Sequence, residues 1–476
     1  MEARQGKDRS HAPSAEGEVV MSGDRVTLIN DLSFGLLARM NSCVNFTMYP
    51  VIRTVVLLSA VLIGGGLSDA RAGIVAGVAV TDITPPLGGQ IVGYGSPQPT
   101  NGINHPITAR VLFLESGETS VAIVTWDLCV AGSPWLHEQM AGLGIDRLLL
   151  FNTHSHAGPN LDQPDFPSKE NPLRATTERK VLDAIKEAKA KTFPALFAAG
   201  EGSIQLGYNR LVRQPGGFAL THFDNPERIP YGPVDPTVGV LRITDTDGGV
   251  RAVLVNYACH AVVLGPPNRK LSADYPGAMR GEVEAALGGN AVCFFLQGAA
   301  GDINPLMLAR SGDDAKDLPV VDAMGQTLAR EVLSVLEQMK SEAGKAEQFS
   351  IATKAFTVDH RWQPEKTLPV SVTTVLLNSD IAMAVLPGEP FHAFQVDWRQ
   401  KSGVPHAFFF GFSSNPGEPW TGYLPDIESA ALGGYGASDS TSAAVGTGER
   451  LVNEGLTQLY TLQGRLKPKP QRHLNQ

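Results

Sequence analysis

The chain has 476 residues, of which 43% are hydrophobic and 18% are charged, proportions that are typical of a globular protein with a sizeable core. Its 39 basic and 48 acidic residues give a net charge of −9. The one basic cluster lies in the tail between Arg465 and Arg472, so this composition excludes nucleic acid as the expected partner, along with other polyanions.

The first 72 residues are predicted to lie outside the folded domain. Residues 1–47 are polar and mixed, and we interpret them as the product of an over-extended start. In residues 48–72 a basic residue precedes a short apolar stretch, and Ala70 and Ala72 flank an arginine as in a signal-peptide cleavage site. We therefore expect an exported protein, periplasmic or secreted, with a mature form that begins near Gly73. An uncleaved membrane anchor is the alternative.

The rest of the chain alternates between strand and helix patterns. Residues 73–465 form the predicted folded domain, and residues 466–476 form a polar tail. Helix patterns at 175–191 and 320–340 lie between strands, which favours an α/β fold with mixed β-sheets flanked by α-helices in a single large domain. The sheets are not purely parallel, because two pairs of strands are predicted to form hairpins, namely 238–244 with 251–258 and 370–377 with 381–386.

Two histidines follow the apolar run 148–151, which is predicted to be a buried strand. In an extended segment, residues two apart point to the same side, so His154 and His156 can face one small volume. One imidazole would bind a metal and the other would face its bound water. For this motif by itself, a pair of solvated or core histidines is the alternative.

Two further strands are followed by polar side chains. His260 comes after the apolar strand 251–258, and Glu389 comes after 381–386, just before a predicted helix at 391–401. A carboxylate is also favoured at the start of a helix without any metal, which is the alternative for Glu389. Ligands concentrate at the carboxyl ends of strands in α/β proteins, so the three strand ends together predict a metal site.

Eight segments, in chain order, resemble the neutral (non-lysosomal) ceramidases over about residues 77–435. They are GVAVTDITPPLGGQIVGYG (77–95), NTHSHAGPN (152–160), YNR (208–210), NYACHAVVL (256–264), SADYPG (272–277), QGAAGDINP (297–305), VLPGEP (385–390) and the pair Tyr423 and Tyr435. The resemblance implies a zinc hydrolase that cleaves the amide of ceramide, N-acylsphingosine, or of a related N-acyl lipid to fatty acid and amine. A lipid-like substrate is the expected partner, with transient contact at a membrane surface.

The resemblance also implies a role for individual residues. The ligands of one zinc ion per chain would be His154, His260, Glu389 and Tyr423. His156 would be the general base for the zinc-bound water, whose pKa zinc lowers to about 7, and Arg210 and Tyr435 would stabilise the oxyanion. Loop packing against the core is the alternative for Tyr423, and a structural carboxylate partner is the alternative for Arg210. A mixed nitrogen and oxygen site also suits manganese or iron.

Three aspartates are candidates for hydrogen bonds that fix the ligating rings: Asp127, Asp274 and Asp302. Asp127 and Asp302 each follow an apolar strand and are expected at the same edge as the histidines. For Asp274 we prefer a cap at the start of a helix at 278–287. Three cysteines of the mature region lie in or beside apolar strands and are predicted to be buried thiols: Cys129, Cys259 and Cys293. Cys259 should point away from the neighbouring His260.

The chain departs from the ceramidase pattern in two places. Residues 297–300 contain no serine, which excludes a serine nucleophile there and puts ceramide itself in question as the substrate. After Tyr435 the chain has 41 residues, with an amphipathic helix predicted at 442–462, where ceramidases carry an immunoglobulin-like domain. A zinc hydrolase of another amide or ester is therefore the second hypothesis, and a non-catalytic metal-binding homologue is the third.

Overall fold

The structure, a computed structural model, describes residues 73–95, 99–339 and 349–466. These residues belong to one unit of the chain that runs from Asp69 to Gln476. The predicted leader lies outside the described residues, so export and the over-extended start stay predictions. Within the described part of the chain, no helix combines the length and apolar character that a membrane span requires.

The described elements begin and end as follows. The helices are α1 (Pro134–Gly142), α2 (Leu173–Ala190), α3 (Asp274–Ala286), α4 (Asp314–Gln338), α5 (His392–Ser402), α6 (Ile427–Leu432) and α7 (Thr447–Leu462). The strands are β1 (Val75–Asp82), β2 (Gly102–Ile103), β3 (Thr108–Ser116), β4 (Thr119–Trp126), β5 (Arg147–Asn152), β6 (Phe193–Pro194), β7 (Leu196–Ser203), β8 (Gly207–Asn209), β9 (Leu211–Gln214), β10 (Phe218–Thr221), β11 (Thr237–Thr244), β12 (Val250–Tyr257), β13 (Lys270–Leu271), β14 (Val292–Gln297), β15 (Ile303–Pro305), β16 (Phe349–Asp359), β17 (Thr367–Leu377), β18 (Ile381–Pro387), β19 (Glu389–Pro390), β20 (His406–Ser414) and β21 (Tyr423–Leu424).

The larger sheet has nine strands in the order β16-β17-β18-β20-β5-β4-β3-β1-β6. Its two halves join at the centre, where β20 and β5 run antiparallel and share two residue pairs, Ser413 with Phe151 and Ser414 with Leu150. On one side β18 is parallel to β20, and on the other β4 is parallel to β5. The carboxyl ends of these four strands therefore meet in the middle of the sheet.

The smaller sheet has the order β14-β12-β11-β7, with β14 and β12 parallel. It packs face to face on the larger sheet. Alternate residues of β12 face opposite sides of the smaller sheet. Leu254 therefore contributes to the core between the sheets, and Val253 and Val255 contribute to the core under the helices. The Asn256 side-chain amide ties the sheets together by donating to the carbonyl oxygens of Leu296 (3.1 Å) and Phe409 (2.9 Å).

Helices cover the outer faces of both sheets. Helices α3 and α4 pack on the smaller sheet, α1 and α2 on the half of the larger sheet that contains β4, and α5 and α7 on the half that contains β18. This arrangement confirms the predicted α/β fold with mixed sheets flanked by helices, and both predicted hairpins form. The last helix is shorter than predicted, because Ser442 and Ala444 donate their N–H groups to Thr421 and Asp359 before α7 begins.

Candidate metal centre and active site

Three strand ends converge above the junction of the large sheet. His154 follows β5, His260 follows β12 and Glu389 follows β18. The Glu389 Oε2 atom lies 3.3 Å from His154 Nε2 and 3.2 Å from His260 Nε2. All three side chains are buried, and their donor atoms lie within 4.8 Å of one another. The structure thus brings together three of the four side chains predicted as ligands around one small volume.

Main-chain carbonyl groups orient the two imidazole rings. His154 Nδ1 donates to the Cys129 carbonyl oxygen at 2.8 Å, and His260 Nδ1 donates to the Ala300 carbonyl oxygen at 2.6 Å. Each ring therefore presents its Nε2 atom toward Glu389, where that atom can bind a metal when it carries no proton. The prediction that aspartate carboxylates fix these rings was therefore wrong, because peptide groups occupy the positions expected for them.

The three aspartates instead hold the loops that carry the site. Asp127 accepts two hydrogen bonds of 2.8 Å from Arg280 and one of 3.3 Å from the hydroxyl of Thr153, the neighbour of His154. Asp274 accepts from the N–H groups of Val263 and Leu264, just beyond His260.

The preferred interpretation of Asp274 as a helix cap is confirmed in one contact, because its Oδ1 atom accepts from the N–H of Tyr275 at the start of α3 at 2.7 Å. The N-cap position itself is occupied by Ala273, which makes no side-chain cap hydrogen bond. Burial raises the pKa of Asp274 to about 6, and the backbone N–H groups that it binds oppose this rise. Asp302 accepts a hydrogen bond from His392 Nδ1 at 2.6 Å.

His154 has an unusual backbone. Its φ is +63°, in the left-handed region that non-glycine residues rarely adopt, so the predicted extended conformation of this segment was wrong. The two histidine side chains nevertheless converge, with 3.0 Å between the Nε2 atoms of His154 and His156. Hydrogen bonds from the N–H groups of Thr153 and His154 to the carbonyls of Trp126 and Leu128 hold the turn. Such strain persists only where neighbouring contacts enforce it.

A glycine-rich loop covers His156. The ring of Tyr94 lies 5.0 Å from the ring of His156, and its hydroxyl donates to the Leu264 carbonyl oxygen at 2.7 Å. Gly93 has a φ of +125°, and a Cβ atom there would lie 2.5 Å from the imidazole of His156. The close approach of this loop to His156 explains the need for glycine at position 93.

Electrostatics favour the protonation states that the predicted roles require at His156, His260 and Glu389, but not at His154. Burial lowers the pKa of His156 well below its ordinary value, helped by His154 and His260, and burial and Arg210 lower the pKa of His260 to about 4. Burial opposes ionisation of Glu389, but His154 and His260 outweigh it and hold its pKa well below the usual range. Burial likewise opposes the imidazolium of His154, but Cys129 and Glu389 outweigh it and raise that pKa, so a metal would displace a proton there.

Arg210, Tyr423 and Tyr435 line the other side of the centre. Tyr423 is the direct strand partner of Glu389 in the β19–β21 pair, and its ring stacks at 6.3 Å on the ring of His260. The guanidinium of Arg210 lies 5.1 Å and 5.2 Å from the ring centres of the two tyrosines. Burial, followed by Glu389, raises the pKa of Tyr423 well above its ordinary value, although Arg210 opposes this rise. All residues predicted for the site thus lie in one cluster.

The buried donor set fits a metal such as zinc. Two imidazoles with free Nε2 atoms and one carboxylate are a common set for zinc in hydrolases, which leaves room for a further ligand such as the Tyr423 hydroxyl. Arg210 does not bind a carboxylate in this structure: its Nη1 and Nη2 atoms donate to Asn304 Oδ1 (3.1 Å) and to the Gly301 carbonyl oxygen (2.6 Å).

The structure also places residues here that the sequence did not indicate. Cys129 Sγ lies 3.7 Å from His154 Nδ1, whereas Cys259 packs in the core under α3 and α4, as expected. Phe412 has a φ of +57°, and its ring lies 4.4 Å from the ring of His154. Cys129, Cys259 and Cys293 are free and buried, which confirms the prediction of thiols. Only proximity in space reveals Cys129 and Phe412, because neither lies in a recognisable motif.

Comparison with solved structures shows the fold to be similar to that of neutral ceramidase. The structure of neutral ceramidase from Pseudomonas aeruginosa matches with a TM-score of 0.66 and 16% sequence identity, over 84% of this chain and 76% of that chain. A structure of a ceramidase complexed with C2 matches with the same TM-score, identity and coverage. Neither family models nor curated proteins give a significant match to the sequence. The chain therefore has a neutral ceramidase-like fold.

Proposed function

We propose that the protein is a zinc-dependent hydrolase that cleaves the amide bond of ceramide or of a related N-acyl lipid to a fatty acid and an amine. The observation that carries this proposal is the convergence of His154, His260 and Glu389 on one buried volume that His156 also faces. The neutral ceramidase-like fold supports an N-acyl lipid as the substrate class, since one of the similar structures is a ceramidase complexed with C2.

His154, His260, Glu389 and Tyr423 would hold the zinc ion. Bound zinc lowers the pKa of a coordinated water to about 7 and polarises a substrate carbonyl. The protein prepares this site before the ion arrives, since the carbonyl oxygens of Cys129 and Ala300 already fix both rings. A neutral His260 and an ionised Glu389 are the states that a cation requires.

His156 is suited to the role of general base. Burial keeps its pKa low, so the ring is neutral and its Nε2 atom can accept a proton from the attacking water. The same atom would then return that proton to the nitrogen of the departing amine. The ring of Tyr94 covers the imidazole and limits its movement. The distance of 3.0 Å between the Nε2 atoms of His156 and His154 places the base beside the metal ligands.

Arg210 and Tyr435 are suited to stabilise the oxyanion that forms at the substrate carbonyl. The guanidinium of Arg210 is buried, and its hydrogen bonds to Asn304 and Gly301 fix it while its Nε–H remains without a described acceptor. Burial opposes the charge of Arg210, but Tyr423 and Glu389 raise its pKa, so the cation persists. A positioned cation and a phenol hydroxyl are strong donors to a developing negative charge.

An apolar surface beside Tyr435 supports a lipid-like substrate. The side chains of Phe218 and Leu220 on β10 are 47% and 49% exposed, and Phe223, which follows them, is 44% exposed. The ring of Phe223 lies 5.2 Å from the ring of Tyr435, which joins this surface to the site. We propose that transient contact with lipid aggregates takes place here, because exposed apolar side chains in a group mark interaction surfaces.

Fatty-acid release from a ceramide tests the proposal. The purified protein should release fatty acid, lose this activity after treatment with a chelator and regain it with zinc. His156→Gln should bind zinc normally but lower kcat roughly 10²–10⁴-fold, the usual contribution of a general base. His406→Gln is the matched control, because His406 begins β20 at the end of that strand remote from the site. No release despite stoichiometric zinc would exclude ceramide and direct the search to other amides and esters.

A further inference from the structure

We propose that His392, through the hydrogen bond of its side chain to Asp302, is a positioning residue that holds Glu389 and Arg210 at a fixed separation across the metal centre. This inference rests on the proposed function. It assigns a role to a histidine outside the ligand set and to an aspartate that does not touch the ligating rings.

His392 and Asp302 form a dense buried contact at the start of α5. The Asp302 carboxylate accepts from His392 Nδ1 at 2.6 Å through Oδ2 and from the His392 N–H at 2.9 Å through Oδ1. Burial opposes charge on both partners. Each nevertheless favours the charge of the other, so the pKa of His392 is raised and that of Asp302 is lowered. The two hydrogen bonds thus fix the first residue of the helix in both position and direction.

The same aspartate holds the segment that carries Arg210. Its Oδ2 atom accepts from Asn209 Nδ2 at 2.8 Å, and its carbonyl oxygen accepts from the Arg210 N–H at 2.9 Å. The neighbouring Gly301 carbonyl oxygen accepts from Arg210 Nη2 at 2.6 Å. Asp302 therefore fixes Arg210 at its backbone, and the adjoining peptide group fixes it at its guanidinium.

The pair also reaches Glu389 along a short and rigid path. Two residues separate Glu389 from His392, and the Gly301 N–H donates to the carbonyl oxygen of Pro390 at 2.9 Å. A Cβ atom at Gly301 would collide with the Glu389 carbonyl oxygen, so the two segments touch. The turn around Asp302 also carries the Ala300 carbonyl that orients His260. A shift of Asp302 would therefore move a metal ligand, an imidazole acceptor and the oxyanion donor together.

Three variants test the role of the pair. His392→Asn keeps a side-chain N–H donor toward Asp302, His392→Leu removes it, and Asp302→Asn places an amide N–H₂ against the donor of Asn209. Lys401→Ala is the matched control in the same helix, because the side chain of Lys401 pairs with Asp397 at the surface. The readouts are zinc affinity, measured by competition with a chromophoric chelator, and kcat and KM on the ceramide substrate.

We expect His392→Leu and Asp302→Asn to weaken zinc binding and lower kcat by about 10–100-fold each, the usual effect of losing a residue that orients metal ligands. KM should change little, because the altered geometry acts on the transition state. His392→Asn should stay within about 3-fold of the wild type in zinc affinity, kcat and KM, because its side-chain amide can still donate a hydrogen bond to Asp302. Lys401→Ala should behave like the wild type.

Two results would overturn the inference. One is a folded His392→Leu protein with the zinc affinity and kcat of the wild type, and the other is a loss in His392→Asn as large as that in His392→Leu. If His392→Leu does not fold, the comparison of His392→Asn with Asp302→Asn decides by the same criteria. A wild-type protein that binds no zinc or cleaves no ceramide would instead contradict the proposed function. An active wild type with unaffected variants contradicts the positioning role alone.

Discussion

Two buried carboxylates near His154 are used in opposite ways. Asp127 and Glu389 both lie at strand ends, and both have pKa values below the ordinary range despite their burial. Asp127 binds a permanent cation, Arg280, with two hydrogen bonds of 2.8 Å, and also the Thr108 N–H and hydroxyl groups. Glu389 instead faces His154 and His260, whose rings can be neutral or charged.

The difference separates Asp127, a structural carboxylate, from Glu389, which we propose binds a metal. The charge of Asp127 is matched within the protein, so nothing further is needed to stabilise it. The imidazoles of His154 and His260 lie within 3.3 Å of the Glu389 carboxylate, and one divalent cation could bind all three groups. Burial by itself does not distinguish these roles, whereas the chemistry of the partner does.

The largest expected effect follows from the loss of the Glu389 carboxylate. Glu389→Gln removes the negative charge of the proposed ligand, and we expect zinc affinity to fall by more than the roughly 10–100-fold that is typical for residues behind the ligands. Fatty-acid release should fall in parallel, and zinc should raise the unfolding temperature of the variant less than that of the wild type. Zinc titration, an activity assay and thermal unfolding check this prediction. Unchanged zinc affinity would remove Glu389 from the ligand set.

The structural carboxylate should behave in the opposite way. Asp127→Asn leaves Arg280 buried and without its charged partner, which should lower the free energy of unfolding by about 3–5 kcal/mol. The folded variant should still bind zinc within a few-fold of the wild type, because Asp127 does not contact the ligating rings. Urea unfolding of the zinc-free proteins at pH 7 measures the loss, and a collapse of zinc affinity in the folded variant would contradict the distinction.

The pH dependence gives a further test of the same pair. The pKa of Asp127 is lower in the folded protein than in the unfolded chain, so the ion pair stabilises the fold above the ordinary carboxyl pKa of about 4. This contribution is lost as the pH falls through the lowered value. The difference in unfolding free energy between wild type and Asp127→Asn should therefore narrow below about pH 4. A constant difference from pH 7 to pH 3 would exclude the ion pair as its source.

The smallest effect is expected from Thr153, which connects Asp127 to the loop that carries His154. Thr153 precedes His154, and its hydroxyl donates to Asp127 at 3.3 Å. Thr153→Val keeps the shape and removes this bond, which should lower the free energy of unfolding by about 1 kcal/mol. Zinc affinity should stay within about 3-fold, since Cys129 and not Thr153 orients the His154 ring. Chelator competition checks this prediction, and a loss of 10-fold or more would show that Asp127 acts on the metal ligands.

Much of the framework follows from hydrophobic pattern alone. The apolar runs before His154, His260 and Glu389 form β5, β12 and β18, because continuous Val, Ile and Leu stretches suit strands that are buried on both faces. The turn sequence after β11 also predicts the hairpin with β12 correctly. Since His154, His260 and Glu389 each follow a strand closely, the sequence could predict that the three side chains converge at strand ends.

Other parts of the site depend on long-range geometry that no local pattern contains. The antiparallel junction of β20 with β5 brings Phe412 against His154, although more than 250 residues separate them. The left-handed backbone of His154 results from hydrogen bonds to the segment after β4. His392 stands in a segment where the helix pattern is evident but its contact with Asp302 is not.

The main-chain acceptors of the two imidazoles bear on how such a site tolerates mutation. The carbonyl oxygens of Cys129 and Ala300 orient His154 and His260, and any amino acid at positions 129 or 300 supplies the same oxygen if the backbone keeps its path. Ring alignment is therefore inherited with the fold and is independent of side-chain identity there. Substitutions can accumulate at both positions over evolution while the alignment survives, and a scan for invariant polar neighbours would overlook the groups that maintain it.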